Sequence, residues 1–572
     1  MHRFIQVDKP VIILCLMMSL CCCLGATQSR GLCPLHGKSR LPVELPASRG
    51  EVTWVRRLSE GEDATPAVIA SVERVKDGGI LRFEKGVYHL HPESAHSIRQ
   101  GISNNGNAEE RRVAVLLKGL SDVTVDGNGS TVVCHGCATP FMALGCTNIV
   151  LKGFTVTADV PAGIEFVVTA KDAQGFEATF AEEAAKVVVD RGALTLSTPW
   201  GDSWQPIAAM ISLDSHLVYY LAAEWVDAKT CAELAVPFVR SRPLQKSVRH
   251  IRFDYVKNNE PKNIPCPYQV GERLCFNLCK RDRFMLFAED CNGVVVEDVT
   301  LRRLVGMGIV MQRTKDVTLR RYNVVPNPGE HITTGADAMM FTACCGDILL
   351  EECEISHSLD DGFNNHGNYL AVVAAEHRTV QLAFGAADHK EFLPYRAGDQ
   401  VDFIREADRT IIGSAHVVSA RLVAPKNAEI TLDRDVTGLS EGLLVENVTL
   451  APNLTIRKCH FHDYPNLRIS QGGKILIEKN IMQRGMSALY VYDLAKYGWE
   501  SGRVKDLTFR DNVVEEFGTP IHIGVSGWDE TDQSAPRVHG RIVIEGNVFR
   551  KLTGVPVKAS GVRELISDCC VK

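Results

Sequence analysis

A surplus of basic charge is missing from this chain. Lys and Arg total 63 against 69 Asp and Glu, a net charge of −6 over 572 residues. No global positive field is available to hold a phosphate backbone, so nucleic acid is excluded as the expected partner. Long apolar runs are missing too: after residue 25 none approaches the roughly 20 residues of a membrane helix. Glycine-rich phosphate loops, Ser-His-Asp elbows and HExxH helices are also absent, which argues against nucleotide, serine-hydrolase and zinc-protease chemistry. Cysteine, at 19 residues, is too sparse for a disulfide-stapled mini-domain. Cys134-x-x-Cys137 and Cys275-x-x-x-Cys279 look like half zinc sites without second halves, so a role as small core residues, with one or two bridges at most, is expected. What is present, 45% hydrophobic and 23% charged residues, belongs to a folded protein.

The first 26 residues stand apart. Arg3 and Lys9 precede the apolar run Val11 to Gly25, and Leu24-Gly25-Ala26 closes it with small residues. This pattern predicts a secretory signal peptide cut near Ala26, and hence a periplasmic or extracellular protein. A lipid anchor on Cys21, Cys22 or Cys23 fits the flanking residues poorly. Four of the cysteines leave with the segment, so an odd number remains.

A short strand pattern recurs along the rest. It reads apolar-x-apolar, two spacers, then often Asn or Cys. Copies include Val123-Thr-Val125-Asp-Gly-Asn128, Ile348-Leu-Leu350-Glu-Glu-Cys353 and Leu454-Thr-Ile456-Arg-Lys-Cys459, then Ile475-Leu-Ile477-Glu-Lys-Asn480, Leu507-Thr-Phe509-Arg-Asp-Asn512 and Ile542-Val-Ile544-Glu-Gly-Asn547. Most intervals fall between about 21 and 35 residues, the range of stacked repeats. One such strand cannot bury its own apolar face, whereas stacked turns bury a continuous core. The expected fold is therefore all-β: a right-handed parallel β-helix, with inward Asn and Cys forming ladders along its axis. Thr65-Pro66 predicts a capping helix, Thr65 serving as N-cap and Gly78-Gly79 as stop.

Two long gaps in the repeat are insertions. They share Pro267-Tyr268-x-x-Gly271-Glu272 and Pro394-Tyr395-x-x-Gly398-Asp399, and are read as related small β-barrels. The expected organisation is signal peptide 1–26, cap and first coils 27–157, inserted barrel 158–285, central coils 286–369, second barrel 370–450 and last coils 451–572. The barrels are given a structural or interfacial role, with cleft shaping as the alternative.

Between the insertions lies the densest polar cluster: Ala336-Asp337-Ala338, then Asp360-Asp361-Gly362-Phe363-Asn364-Asn365-His366-Gly367. Asp337 and Asp360 are 23 residues apart, one turn of the repeat, so they could lie side by side on adjacent coils. Asp360 and Asp361 would face opposite ways in a regular strand, so they require a turn or bulge to converge. Crowded carboxylates raise one another's proton affinity. That is what glycoside hydrolysis needs: one protonated acid for the leaving oxygen and one carboxylate.

With these residues the chain resembles glycoside hydrolase family 110, whose members are bacterial exo-α-1,3-galactosidases that invert configuration and remove terminal galactose, as from blood-group B glycans. The resemblance implies that Asp337, Asp360 and Asp361 are the essential carboxylates. It implies a glycan partner ending in α-galactose, with no metal and no organic cofactor. Asp360 is favoured as acid by analogy with pectin-cleaving β-helix hydrolases. Arg313, Asn365, His366 and Tyr490 are the candidate sugar-binding residues, with Tyr492 and Trp499 as further aromatic surfaces. Glu330-His331 lacks a third metal ligand. Two alternatives stay open: a polygalacturonase-like hydrolase and a non-catalytic glycan-binding solenoid. Against the first, Asn365-His366-Gly367 departs from Gly-His-Gly, and Arg468-Ile-Ser lacks an Arg-x-Lys pair. A homodimer is also left open.

Overall fold

Each copy of the repeated pattern contributes one residue to a single row of the structure. In the computed structural model Leu81 pairs with Val125, and the row continues in register through Leu151, Val296, Leu319, Leu350, Ile456, Ile477 and Phe509 to Ile544. All are buried in one core that runs the length of the solenoid. Alternation along a strand sends every second side chain inward, and parallel stacking puts like upon like. Each inward Val, Ile, Leu or Phe contributes roughly 1.5–3 kcal/mol of burial. The description covers residues 50–569, apart from 105–109, several short segments between 181 and 282, 386–388, 390 and 496–498. The expected signal peptide lies outside the described residues.

The architecture is a right-handed parallel β-helix. Its coils turn at residues with positive φ: Glu352, Lys458, Lys479 and Asp511 hold φ between 55° and 57° at equivalent corners, where the last coil has Gly546. Left-handed backbone costs a non-glycine residue roughly 1–2 kcal/mol. An internal polar row compensates next to those corners. Asn547 Oδ1 accepts from Asn512 N at 2.9 Å, Asn512 Oδ1 from Asn480 N at 3.0 Å, and Asn480 Oδ1 from Cys459 N at 2.9 Å. Cys353 continues this row in the coil above. The expected Asn and Cys ladder is therefore real. Cys134, Cys146, Cys275, Cys291, Cys344, Cys345, Cys353 and Cys459 are buried free thiols.

The capping helix spans Thr65–Val72 and ends earlier than Gly78-Gly79 suggested. Thr65 is its first helical residue rather than its cap. Ala64 is the cap residue and has no side-chain cap bond, while Asp63 Oδ1, one residue earlier, accepts from Thr65 N at 2.9 Å.

The second insertion is a closed ring of six strands. Phe363–Glu376 pairs with Thr379–Phe384, then Asn427–Leu432, Ile411–Ala424, Gln400–Ile404 and Leu444–Asn447, which returns to the first. Phe363–Glu376 begins as a solenoid strand and ends in the barrel, so the boundary expected at 370 falls inside one strand. In the first insertion the described strands form an antiparallel sheet including Gly163–Asp172, Gly175–Phe180, His250–Lys257 and Arg273–Asn277. The motif shared by both insertions builds the same turn. Gly271 and Gly398 have φ of 90° and 92°, and their amides donate to Val168 and Val417 at 2.8 and 2.7 Å.

Candidate active site

One row on the outside of the solenoid changes character halfway along. Met142, Phe287, Val310 and Met340 are apolar and are covered by a segment carrying Ile98 and Ile102. The same row continues as Asn364, Arg468, Tyr490 and His522. The candidate site lies at this change, where the apolar cover gives way to polar side chains.

Asp337 and Asp361 reach it from successive coils. Thr334 pairs with Ser358, and Ala338 N donates to the Asp361 carbonyl at 2.9 Å. The register step is thus 24 residues, one more than the spacing suggested, and the stacked neighbour of Asp337 is Asp361 rather than Asp360. Asp360 converges because residues 357–362 form a bend between two strands, entered through His357 at φ 58°. The Asp361 amide donates to Asp360 Oδ1 at 3.0 Å and closes that bend. The side chains of Asp337 and Asp361 are 2% and 4% exposed, and that of Asp360 36%.

Burial, followed by the charge of Asp360, pushes Asp337 well above the carboxylate range, although Arg281 opposes it. The same two causes push Asp361 up to about 7 against Arg468 and a hydrogen bond from Asn466. Arg281 ion-pairs with Asp360 and lies 3.8 Å from Asp337. Asn364 Nδ2 donates to Asp337 at 3.4 Å, and Asn466 Nδ2 to Asp361 at 2.8 Å. Arg468 lies 3.6 Å from Asp361 and ion-pairs with Glu500. Burial pushes Glu500 upward, but Arg468 and then His366 outweigh it and bring Glu500 down to about 2. The cluster thus holds proton-rich carboxyls beside a fixed carboxylate and two guanidinium groups.

Of the expected sugar contacts, His366 and Tyr490 lie here. His366 Nε2 is 3.8 Å from Glu500, and the Tyr490 ring centre is 5.9 Å from the Arg468 guanidinium. Tyr490 also stacks on Tyr492 at 4.7 Å. Two expectations are corrected. Arg313 is buried at the base of the second insertion, ion-paired with Asp290 and donating to the Leu393 carbonyl at 3.0 Å. Burial lowers its pKa to about 9, so it anchors the insertion rather than projecting into the cleft. Asn365 occupies the inward row between Phe341 and Ile469, both core residues, and its amide donates to the Gln471 carbonyl. Alternation turns it away from the carboxylates. Trp499 packs beside Tyr369, Ile404 and Leu444 against the second barrel.

Arg281, Asn364, Asn466 and Glu500 were not anticipated, and Arg468 was noted only for the lysine missing after it. Arg281 lies near the end of the first insertion, and Glu500 arrives on a short strand pairing antiparallel with Gly367–Asn368. No local motif marks either.

α-1,3-Galactosidase A of Bacteroides fragilis is 27% identical over 519 residues, covering 86% of this chain and 81% of the relative. α-1,3-Galactosidase B of Bacteroides thetaiotaomicron is 26% identical over 463 residues, covering 79% and 72%. α-1,3-Galactosidase A of Streptomyces avermitilis is 26% identical over 528 residues, covering 85% and 81%. The chain is similar to the α-1,3-galactosidases over most of its length. No family model matches it. Among solved structures, a polygalacturonase from Erwinia carotovora ssp. carotovora aligns with a TM-score of 0.38 and 9% identity, over 91% of this chain and 96% of that one.

Proposed function

We propose that this protein is an exo-acting, inverting glycoside hydrolase that releases terminal α-1,3-linked galactose from glycans such as the blood-group B determinant. The observation that carries this reading is the convergence of Asp337, Asp360 and Asp361 at one opening, with two of the three buried and proton-rich. The galactosidase relatives supply the substrate class. In a single displacement one carboxylic acid protonates the leaving glycosidic oxygen while a carboxylate on the other side takes a proton from the attacking water. The buried pair Asp337 and Asp361 is the proton reservoir, Asp361 lying nearest to neutrality as a general acid should. Asp360, open to the cleft and paired with Arg281, takes the other side. This reverses the acid role expected for Asp360 from the pectinase analogy.

Arg468, His366 and Tyr490 form the sugar-facing wall. Asn364 Oδ1 and His366 Nε2 are buried without hydrogen-bond partners, a pattern that ring hydroxyls can satisfy. The test is incubation with a chromogenic α-galactoside and with a terminal α-1,3-galactosyl oligosaccharide, followed by NMR of the first sugar formed. Free β-galactose is expected. An α product refutes inversion, binding without release makes the protein a glycan-binding solenoid, and cleavage of polygalacturonate alone makes it a pectinase-like hydrolase. Export belongs to the same proposal and is checked by the N-terminus of the mature secreted chain, expected just after Ala26.

A further inference from the structure

A second cluster of chemistry-bearing side chains sits on the outer face of two adjoining coils, apart from the carboxylates. Glu354 pairs directly with His460 across parallel strands, and Ser356 with His462. His460 and His462 are two residues apart on one strand, so alternation sends both imidazoles to the face that Glu354 also occupies. Their rings are 4.4 Å apart. One ligand atom from each of Glu354, His460 and His462 lies within 4.8 Å of the others. Glu354 Oε1 is already 3.3 Å from His462 Nε2. Metal bonds of about 2.0–2.1 Å at tetrahedral angles separate neighbouring ligand atoms by about 3.3 Å.

The outer hydrogen bonds are a separate observation that points the same way. His462 Nδ1 faces Asp463 Oδ2 at 2.8 Å, and Arg484 holds that carboxylate at 2.8 and 2.9 Å. A carboxylate so fixed accepts the Nδ1 proton, so a metal between Nε2 and Glu354 Oε1 would take the place of the hydrogen bond that joins them. His460 Nε2 faces Gln483 Oε1 at 3.0 Å, while the Gln483 amide donates to Glu515 at 3.1 Å. Gln483 therefore accepts from Nε2, and the His460 Nδ1 lone pair is bare. Metal-binding histidines have this outer support, which fixes the tautomer and orients the ring. His357, His462 and Asp463 form an overlapping triad, but Asp463 is committed to Arg484 and so serves as the outer partner.

We propose that Glu354, His460 and His462 bind a divalent transition metal, with zinc matching this pair of imidazoles and one carboxylate. Its role is structural. Glu354 and His462 are 108 residues apart in sequence, on the coils at which the chain leaves for the second insertion and returns. A metal there fastens the returning coil in register. The same coil carries Asn466 and Arg468, both of which hold Asp361.

The experiment measures zinc retained by the full mature protein after chelation, equimolar ZnCl2 and gel filtration, with a thermal melt in parallel. One zinc per chain and an unfolding midpoint raised by several degrees are expected. His462→Ala should lose both effects. Glu354→Gln, at an exposed position that leaves the fold intact, should bind zinc at least tenfold more weakly. X-ray absorption should show two imidazole nitrogens in the zinc shell. Failure of the wild-type protein to retain zinc, or retention undiminished in both variants, overturns the proposal.

Discussion

Replacing Asp337, Asp360 or Asp361 by Asn changes almost nothing in shape and removes a titrating group, so each variant separates chemistry from packing. Each should lower kcat/KM by at least about 10³-fold if the group carries proton transfer or water activation. The rate should also have an alkaline limb. Asp361 titrates at about 7 in the folded protein, and an acid loses its proton as pH rises through that value. Activity is therefore expected to fall above about pH 7, which a kcat/KM profile will show. Stability follows the same sign. A carboxyl with its folded pKa raised contributes stability below its unfolded pKa of about 3.9, lost as pH rises through the folded value. At pH 8 Asp361→Asn should melt above wild type, because Asn466 can still donate to the amide oxygen and no buried charge remains. Towards pH 4 the gap should close. Arg313 makes the opposite case. Arg313→Met leaves Asp290 paired with Arg396 alone and removes the bond to the Leu393 carbonyl, and should cost about 1–3 kcal/mol in urea unfolding, with KM unchanged in protein that remains folded.

Single coils are held by rows rather than by contacts along the chain. Asn512 shows why: its side chain accepts from Asn480 N and donates to the Ile477 carbonyl and to Asn547 Oδ1, so one residue satisfies groups in the two coils that flank its own. Asn512→Ala removes the acceptor of Asn480 N and the donor to the Ile477 carbonyl, at about 1–3 kcal/mol for each group orphaned, while Asn547 Oδ1 keeps the Asn512 amide. A loss of about 2–4 kcal/mol is expected in denaturant titration, well above that of Thr508→Ala in the same coil. These rows were legible in the sequence because a solenoid coil is a local repeat, so the Leu-x-Phe-x-x-Asn of one coil predicts the same face in the next. The capping helix was less legible. Thr65-Pro66 read as cap and first turn, yet Ala64 takes the cap position and the Asp63 carboxylate accepts from the Thr65 amide.

The second insertion is tied into the solenoid by buried charge. Arg409 pairs with Asp493 at 2.6 Å, Arg503 pairs with Glu446 at 2.8 Å and with Asp402, and Arg313 donates to Leu393. Charges removed from water in this way cost several kcal/mol each once their partners leave. Joining Asn368 to Val448 through a short glycine linker should therefore abolish cooperative thermal unfolding at the wild-type midpoint, as followed by circular dichroism. Unchanged melting would show the insertion to be an independent passenger. This dependence was not legible in the sequence. Arg313 follows an apolar strand one coil before Asp337 and could as well have faced the cleft, and only the docked barrel turns it into an anchor.

By itself the sequence determined the solenoid and the spacing that brings three Asp residues together on its neighbouring coils. These depend on alternation, repeat length and turn chemistry, which act over a few residues. The tertiary structure decided what surrounds those carboxylates. Arg281 and Glu500 come from outside the repeat, and the 24-residue register made Asp361, not Asp360, the stacked neighbour of Asp337. Proton affinity depends on burial and charge within a few ångströms, and those distances exist only once distant segments have packed together.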